Sequence, residues 1–271
     1  MIRLAVRCGP AAADRVLAEL LRLAPGGVEE DGGPGWVEYA IYGSPGELPE
    51  LGTITAVSTG EPIEVTSEEI PDDWADRWRD FHEPIWIADR VLIRPSWESV
   101  EREAVVDVVI DPGQAFGTGA HPTTRMCVEL LLELADAGEA SGRLVDLGTG
   151  SGVLAIVAAK LGWSPVVAVD HEVAAVEAVA ANAAANAVEV EPRRVNLREQ
   201  APPSARTVVA NLTAPLLLEV SARLQGPPRA LICSGLLERE VGEVVSAFER
   251  AGLRPVDRLA QGDWAAIGFR S

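Results

Sequence analysis

The sequence predicts an α/β protein built around a doubly wound, mainly parallel sheet in residues 99–271, preceded by a small α+β domain in residues 1–60 and a linker in residues 61–98. Three observations lead to this prediction. Strand-like and helix-like segments alternate regularly after residue 98, a pattern typical of βαβ units. The first 60 residues follow the order βαββαβ, which indicates a ferredoxin-like module. The segment between them holds four of the seven tryptophans.

The small domain starts with a predicted strand, because apolar and polar residues alternate in IRLAVRC. Apolar residues then recur at helical spacing in AAADRVLAELLRLA, which predicts a helix. A glycine-rich turn separates two further strand candidates, GGVEED and WVEYAIYG. A short helix, SPGELPEL, and a last strand, TITAVST, complete the predicted module.

The linker combines a predicted helix with a predicted strand. Trp74, Trp78 and Phe81 lie at i, i+4 and i+7, so they share one face of a helix that ends at Pro84. Such an aromatic stripe is more often a packing surface than a ligand contact. The following segment, VLIRPSW, predicts a strand that docks on the next domain.

The large domain has the alternating pattern of a doubly wound sheet. Its predicted strands are VVDVVID, RLVDLG, PVVAVD, PRRVNL, RTVVANL and PRALICSGLL. Its predicted helices are PTTRMCVELLLELADA, SGVLAIVAAKLG, HEVAAVEAVAANAAANA, APLLLEVSARLQ and REVGEVVSAFERAG. The last two segments, RPVDRLAQGD and WAAIGFRS, predict a closing hairpin.

The composition is that of an ordinary globular protein, with 48% hydrophobic and 24% charged residues. The net charge of −18 argues against unaided nucleic-acid binding and suits either a basic partner or solubility alone. The three cysteines lie far apart, which argues against a disulfide framework or a CxxC zinc site, and no two histidines have metal-ligand spacing. Because we find neither a signal peptide nor an apolar run of about 20 residues, we expect a cytoplasmic protein without membrane contact.

A glycine-rich turn in LVDLGTGSGVLAI marks the predicted functional site. Gly148, Gly150 and Gly152 lie between a strand and a helix, where a nucleotide-like cofactor usually binds. Asp170 ends the next strand, 22 residues after Gly148, and a carboxylate there can accept both hydroxyls of a ribose. Asn211 ends RTVVANL. These residues meet at the carboxyl ends of the strands, near the switch point of the predicted sheet.

The turn fits a nicotinamide dinucleotide or S-adenosylmethionine, and a purely structural turn is the third alternative. The dinucleotide fingerprint G-x-G-x-x-G needs a glycine at its sixth position, where this chain has Val153. Asp146, two residues before the turn, would place a negative charge close to a pyrophosphate. S-adenosylmethionine carries a sulfonium and an amino group, so nearby carboxylates favour it.

A second motif, DPGQAFGTGAHPTT, lies upstream of the turn and directly before a predicted helix. Together with DLGTGSGVLAI and VVAVD, it resembles the class I methyltransferases, and more narrowly the ribosomal protein L-eleven (L11) methyltransferases of PrmA type. The FGTGxHPTT pattern is far more specific than the glycines alone. The resemblance covers residues 60–271 well, whereas in the first 60 residues it depends on domain size and element order.

The resemblance implies a set of cofactor-binding residues. Positions that bind S-adenosylmethionine in the family are matched by Thr124, Gly148, Asp170 and Asn211, with Gly150 in the same turn. A loop that folds over the cofactor is matched by Phe116, Gly117, Thr118 and Gly119. Many class I enzymes have an acidic residue for the adenine amine where this chain has Asn196, which can still form a hydrogen bond. Thr123 and Thr124 can also cap the following helix.

The resemblance also implies the reaction. The expected activity is methylation of lysine and N-terminal α-amino groups of ribosomal protein L11. The small domain is expected to bind the substrate, and the linker is expected to let this domain move so that different amines reach the site. The carbonyl of the Asn211 side chain can accept a hydrogen bond from a neutral amine. The alternatives are another substrate for the same fold, such as the electron-transfer flavoprotein β-subunit or a small molecule, and a nicotinamide-dependent oxidoreductase or a nucleotide-binding module without catalysis.

Overall fold

A computed structural model describes most of the chain. The described residues are 2–10, 12–13, 16–17, 20, 29–33, 35–43, 63–69, 84–98, 104–110 and 120–271. The chain divides into two compact units, Met1–His82 and Glu83–Ser271.

The first unit contains a four-stranded antiparallel sheet. Its strands are β1 (Ile2–Cys8), β2 (Glu29–Gly33), β3 (Trp36–Gly43) and β4 (Glu64–Glu69), in the order β2-β3-β1-β4. Of the described residues of the first predicted helix, those at positions 13, 16, 17 and 20 are helical and Ala12 lies in a turn. Val16 and Leu20 pack there against Leu4, Val6 and Ile41 to form the core of this unit.

The strands predicted at IRLAVRC and WVEYAIYG are confirmed as β1 and β3. β4 lies in the segment predicted as linker, yet it pairs with β1. The predicted helix SPGELPEL, the strand TITAVST and the aromatic stripe of Trp74, Trp78 and Phe81 lie outside the described residues. The ferredoxin-like module and the domain boundaries at residues 60 and 98 therefore stay predictions.

The second unit begins with a three-stranded sheet of its own. β5 (Ile85–Ile87) pairs antiparallel with β6 (Val91–Arg94), which pairs parallel with β7 (Val106–Val109). Arg94 on β6 forms a bidentate ion pair with Asp107 on β7. Its Nε and Nη2 donate to the two carboxylate oxygens at 2.9 and 2.8 Å. The strand predicted at VLIRPSW forms in its first four residues and pairs with the strand that follows it. The strand predicted at VVDVVID forms, but it belongs to this small sheet and not to the large one.

The large sheet has the order β10-β9-β8-β11-β12-β14-β13, and β14 alone runs antiparallel to its neighbours. Its strands are β8 (Leu144–Leu147), β9 (Val166–Asp170), β10 (Val190–Arg194), β11 (Thr207–Asn211), β12 (Ala230–Leu237), β13 (Arg254–Gln261) and β14 (Trp264–Arg270). The helices are α1 (Pro122–Asp136), α2 (Val153–Leu161), α3 (Val173–Ala185), α4 (Ala214–Arg223) and α5 (Val241–Arg250). The predicted doubly wound, mainly parallel sheet and its closing hairpin are confirmed. One strand differs in position, since β10 begins two residues before the predicted PRRVNL.

Helices cover both faces of this sheet. α1, α2 and α3 contribute to one core, and α4 and α5 contribute to the other. Leu231 and Ile232 illustrate the division, because these neighbours on β12 enter opposite cores as successive side chains on a strand must. With both faces covered, the carboxyl ends of the strands are left to form a site. No helix in the described part of the chain is long and apolar enough to cross a membrane.

Candidate functional site

A cleft of about 270 Å³, open to solvent, lies at the carboxyl ends of β8, β9 and β11. The strand order reverses between β8 and β11, so the cleft lies at the switch point of the sheet. Six predicted site residues line it, namely Thr124, Gly148, Gly150, Asp170, Asn196 and Asn211. The predicted loop residues Phe116, Gly117, Thr118 and Gly119 lie outside the described residues.

The glycine turn forms the floor of the cleft and ties β8 to β9. The backbone N–H groups of Gly148 and Thr149 both donate to the carbonyl of Val169, at 2.9 and 3.0 Å. Gly148 has a φ of 69°, and a Cβ there would lie 2.2 Å from Leu212 Cδ2. The backbone conformation therefore favours glycine at this position, and a side chain here would displace the flexible end of Leu212.

Asp170 is fixed at the rim of the cleft by backbone donors from two sides. Its Oδ2 accepts from the N–H of Gly150 at 3.1 Å, and its Oδ1 accepts from the N–H of Glu172 at 3.1 Å. His171 Nδ1 lies 3.2 Å from Oδ1. Each carboxylate oxygen has two lone pairs, so the side chain retains capacity for hydroxyl donors of a ligand.

Asp146 lies buried beneath the turn. Its Oδ2 accepts from the hydroxyl of Thr149 at 2.6 Å, whereas its Oδ1 is buried with no hydrogen-bond partner. Burial raises the pKa of Asp146 to about 7, the Thr149 hydroxyl and the backbone N–H of Ala155 oppose the rise, and the charge of Asp170 adds to it. The sequence indicated a charge near the turn but not this burial. A carboxylate so placed favours a cation in the cleft and disfavours an anion.

The start of α1 brings Thr124 to the cleft, and its cap differs from the prediction. His121 is the N-cap: its Nδ1 accepts from the N–H of Thr123 at 3.4 Å and lies 2.7 Å from the Thr123 hydroxyl. The prediction that Thr123 and Thr124 cap the helix is wrong, because both lie inside its first turn and are buried. His121 also packs edge-on against Trp264, with ring centroids 4.8 Å apart, and burial lowers the pKa of its imidazole.

Asn211 meets Thr124 across the cleft. Its Nδ2 donates to the Thr124 hydroxyl at 3.4 Å. This contact turns the side-chain carbonyl away from Thr124 and leaves it available as an acceptor. The contact joins the end of β11 to the start of α1, two elements that are 87 residues apart in the chain.

Asn196 lines the cleft from a tight local turn after β10. Its Oδ1 accepts from the N–H of Arg198 at 3.1 Å, and its own N–H donates to Gln200 Oε1 at 3.3 Å. Leu197 and Leu216 also line the cleft. Apolar side chains together with a polar one suit a flat heteroaromatic group.

Two asparagines, one on α3 and one directly after it, make contacts that sequence reasoning missed. Asn182 Nδ2 donates to the carbonyl of Ser151 in the glycine turn at 2.8 Å. Asn186, the C-cap of α3, holds both backbone groups of Val109: its Oδ1 accepts from the N–H at 2.8 Å and its Nδ2 donates to the carbonyl at 2.6 Å. Asparagine is unfavourable inside helices, so Asn182 in an alanine-rich helix was an available signal.

Comparisons with known proteins agree on one family. The family model "Ribosomal protein L11 methyltransferase (PrmA)" matches residues 50–271. A ribosomal protein L11 methyltransferase from Heliobacterium modesticaldum is 40% identical over 205 residues, which are 73% of this chain and 64% of that protein. One from Symbiobacterium thermophilum is 33% identical over 98% of this chain and 97% of its own length. The crystal structure of a ribosomal protein L11 methylase from Lactobacillus delbrueckii subsp. bulgaricus superimposes with a TM-score of 0.61 and 27% identity, covering 69% of this chain and 98% of that one.

Proposed function

This chain belongs to the ribosomal protein L11 methyltransferase (PrmA) family, and on that premise we propose that it methylates lysine and N-terminal α-amino groups of ribosomal protein L11 with S-adenosylmethionine as methyl donor. The observation that carries the proposal is the convergence of Thr124, Gly148, Asp170 and Asn211 on one cleft at the switch point of the sheet. The enzyme works in the cytoplasm, on a protein substrate and without direct nucleic-acid binding.

The cleft fits the proposed donor. Asp146 lies below the turn and Asp170 at its rim, so the local carboxylates favour a sulfonium and an ammonium over a pyrophosphate. Asp170 would accept the ribose hydroxyls, Gly148 would hold the methionine end, and Asn196 with Leu197 would hold the adenine. When bound, S-adenosylmethionine supplies an electrophilic methyl group that needs no further activation.

The protein's own contribution is positioning and exclusion of water. Thr124 holds the amide of Asn211, whose carbonyl accepts a hydrogen bond from the substrate amine and directs its lone pair. A lysine amine in water has a pKa of about 10.4 and is protonated, and transfer to a closed site favours its neutral form. The proton leaves to solvent, so no strong general base is required.

Two parts of the proposal depend on residues outside the described part of the chain. Phe116, Gly117, Thr118 and Gly119 form the loop over the donor, as the family match at residues 50–271 supports. The small N-terminal domain binds the substrate protein, and the linker lets it present different amines.

The proposal is tested with purified enzyme, ribosomal protein L11 and isotope-labelled S-adenosylmethionine, followed by mass spectrometry of the substrate. We expect labelled methyl groups on lysine side chains and the N-terminal amine. A matched reaction with Asn211→Ala is the control for transfer at this site. A substrate without label would refute the proposed substrate. Thermal shifts with S-adenosylhomocysteine and with NAD test the cofactor separately, and stabilisation by NAD alone would refute the methyltransferase assignment.

A further inference from the structure

A bulge in β12 presses against the residue that follows Asn211. The pairing of β12 with β14 is in register at Cys233 and resumes at Leu236 with a shift, so Ser234 and Gly235 form the irregular segment. Gly235 has a φ of 81°, which favours glycine. Such bulges often re-aim neighbouring groups beside active sites.

The space beside Gly235 is filled by backbone atoms. A Cβ at Gly235 would lie 2.5 Å from the carbonyl oxygen of Leu212 and 2.8 Å from its carbonyl carbon and nitrogen. No real Cβ tolerates such distances, and backbone atoms cannot rotate away as a flexible side chain can. The Leu212 peptide and a side chain at position 235 therefore exclude each other.

Three further contacts hold Leu212 in place. Its N–H donates to the carbonyl of Ser234 at 2.9 Å. The hydroxyl of Ser234 in turn donates to the carbonyl of Ala265 on β14 at 2.9 Å, in a fully buried position. The other side of Leu212 lies against the glycine turn, because its Cδ2 occupies the place of a Cβ at Gly148. Leu212 thus packs between two glycines, with its side chain against Gly148 and its backbone against Gly235.

We propose that Gly235 is a positioning residue for methyl transfer. It sets the position of the Asn211–Leu212 backbone and, through that backbone, of the Asn211 side chain. The Asn211 side chain is thereby held at the distance from the glycine turn that the substrate amine requires. The inference deepens the proposed function and depends on it. Gly235 does not line the cleft and acts through Leu212, which does. Leu212 meets the glycine turn with its flexible side chain, so a small shift of its backbone displaces the amine acceptor and spares donor binding.

The decisive variant is Gly235→Ala, compared with Gly262→Ala. Gly262 has a φ of 59°, and a Cβ there would meet nothing within 4 Å. Both variants therefore carry the strain of a left-handed alanine, but only Gly235→Ala displaces the Leu212 peptide. Both are measured for S-adenosylhomocysteine affinity, for kcat with L11, and for hydrogen exchange at the Leu212 amide.

For Gly235→Ala we expect kcat to fall about 10- to 100-fold, as a displacement of about 1 Å can produce. Affinity for S-adenosylhomocysteine stays within about twofold, and the Leu212 amide exchanges faster because its bond to Ser234 is disturbed. Gly262→Ala keeps the kcat and the Leu212 exchange rate of the unmodified protein. An unchanged kcat in Gly235→Ala would overturn the proposal. So would a loss of S-adenosylhomocysteine affinity as large as the loss of kcat.

A second variant covers the case in which Gly235→Ala does not fold. Ser234→Ala removes the anchor to β14 without adding atoms, and Thr207→Val removes another buried hydroxyl far from the cleft, one that accepts from Trp163 Nε1 at 3.2 Å. We expect faster Leu212 exchange and a lower kcat in Ser234→Ala only. Equal behaviour of the two variants would refute the proposal. If the unmodified enzyme neither binds S-adenosylhomocysteine nor methylates L11, the proposed function is refuted. Hydrogen exchange at the Leu212 amide still shows whether the bulge holds Leu212 in place.

Discussion

Replacing Asp146 by asparagine should increase the free energy of unfolding, relative to that of the unmodified protein at the same pH, by more at pH 8 than at pH 5. Burial raises the pKa of this carboxyl to about 7 in the folded protein, against an ordinary value of 3.8. The native state therefore binds the proton more tightly than the unfolded chain does. Stability from this group is present in acid and is lost as the pH rises from about 4 to about 7.

The size of the effect follows from the two pKa values. A difference of about three units at about 1.4 kcal/mol each gives about 4 kcal/mol for the full titration. Roughly 2 to 3 kcal/mol of this falls between pH 5 and pH 8. Asparagine keeps an acceptor for the Thr149 hydroxyl, which lies 2.6 Å from Oδ2, but does not titrate. The free energy of unfolding of Asp146→Asn minus that of the unmodified protein should grow by about that amount over this range.

Urea unfolding followed by circular dichroism at pH 5, 6, 7 and 8 measures this difference directly. All other titrating groups occur in both proteins, so their contributions cancel. Asp136→Asn is the control of opposite sign, because the hydrogen bond from Arg90 holds the pKa of Asp136 below its ordinary value. That carboxyl titrates below about pH 4 in both states, so its difference should stay nearly constant from pH 5 to pH 8 and change in the other direction only at lower pH. A pH-independent difference for Asp146→Asn would refute the reasoning and show that the carboxyl is ionised throughout.

Three further predictions concern the cleft and its support. Asp170→Asn should weaken S-adenosylhomocysteine binding about 10-fold by calorimetry, because a charge-assisted hydrogen bond contributes about 1.5 to 3 kcal/mol; unchanged affinity would argue against a ribose contact. Asn211→Ala should lower kcat at least about tenfold with little change in donor affinity, and a change in affinity alone would contradict the acceptor role. Asn186→Leu should lower the midpoint of thermal unfolding by roughly 5 to 10 °C, because both polar groups of Val109 lose their partner; an unaltered midpoint would show that water replaces the clamp.

The fold of the large unit was predictable because its segments are long and carry clear periodicities. α1 shows helical spacing over 15 residues, and β8, β9 and β11 are apolar runs closed by a polar residue or glycine. The small sheet was not foreseen as a separate unit, because β5 has three residues and β6 and β7 have four each. Strands so short give too few positions for alternation to reveal their partners.

The cleft residues were predictable for a topological reason. Gly148, Asp170 and Asn211 each follow or end a strand, and parallel strands place their carboxyl ends at one edge. The supporting residues were not predictable in the same way. The contact between Gly235 and Leu212 depends on a bulge, and the pKa of Asp146 depends on burial beneath a turn, so both arise only when distant segments pack.

The glycine turn itself does not select the ligand, since its backbone suits phosphates as well as other groups. Selection depends on Asp146, whose ionised form destabilises the protein above pH 7. Under the proposed function a cation in the cleft favours that ionised form, so the loss of stability is offset when the donor binds. A pyrophosphate would instead add negative charge beside Asp146 and Asp170 and would make the loss larger. We therefore expect the same buried carboxylate that weakens the free protein to favour a sulfonium donor over a dinucleotide.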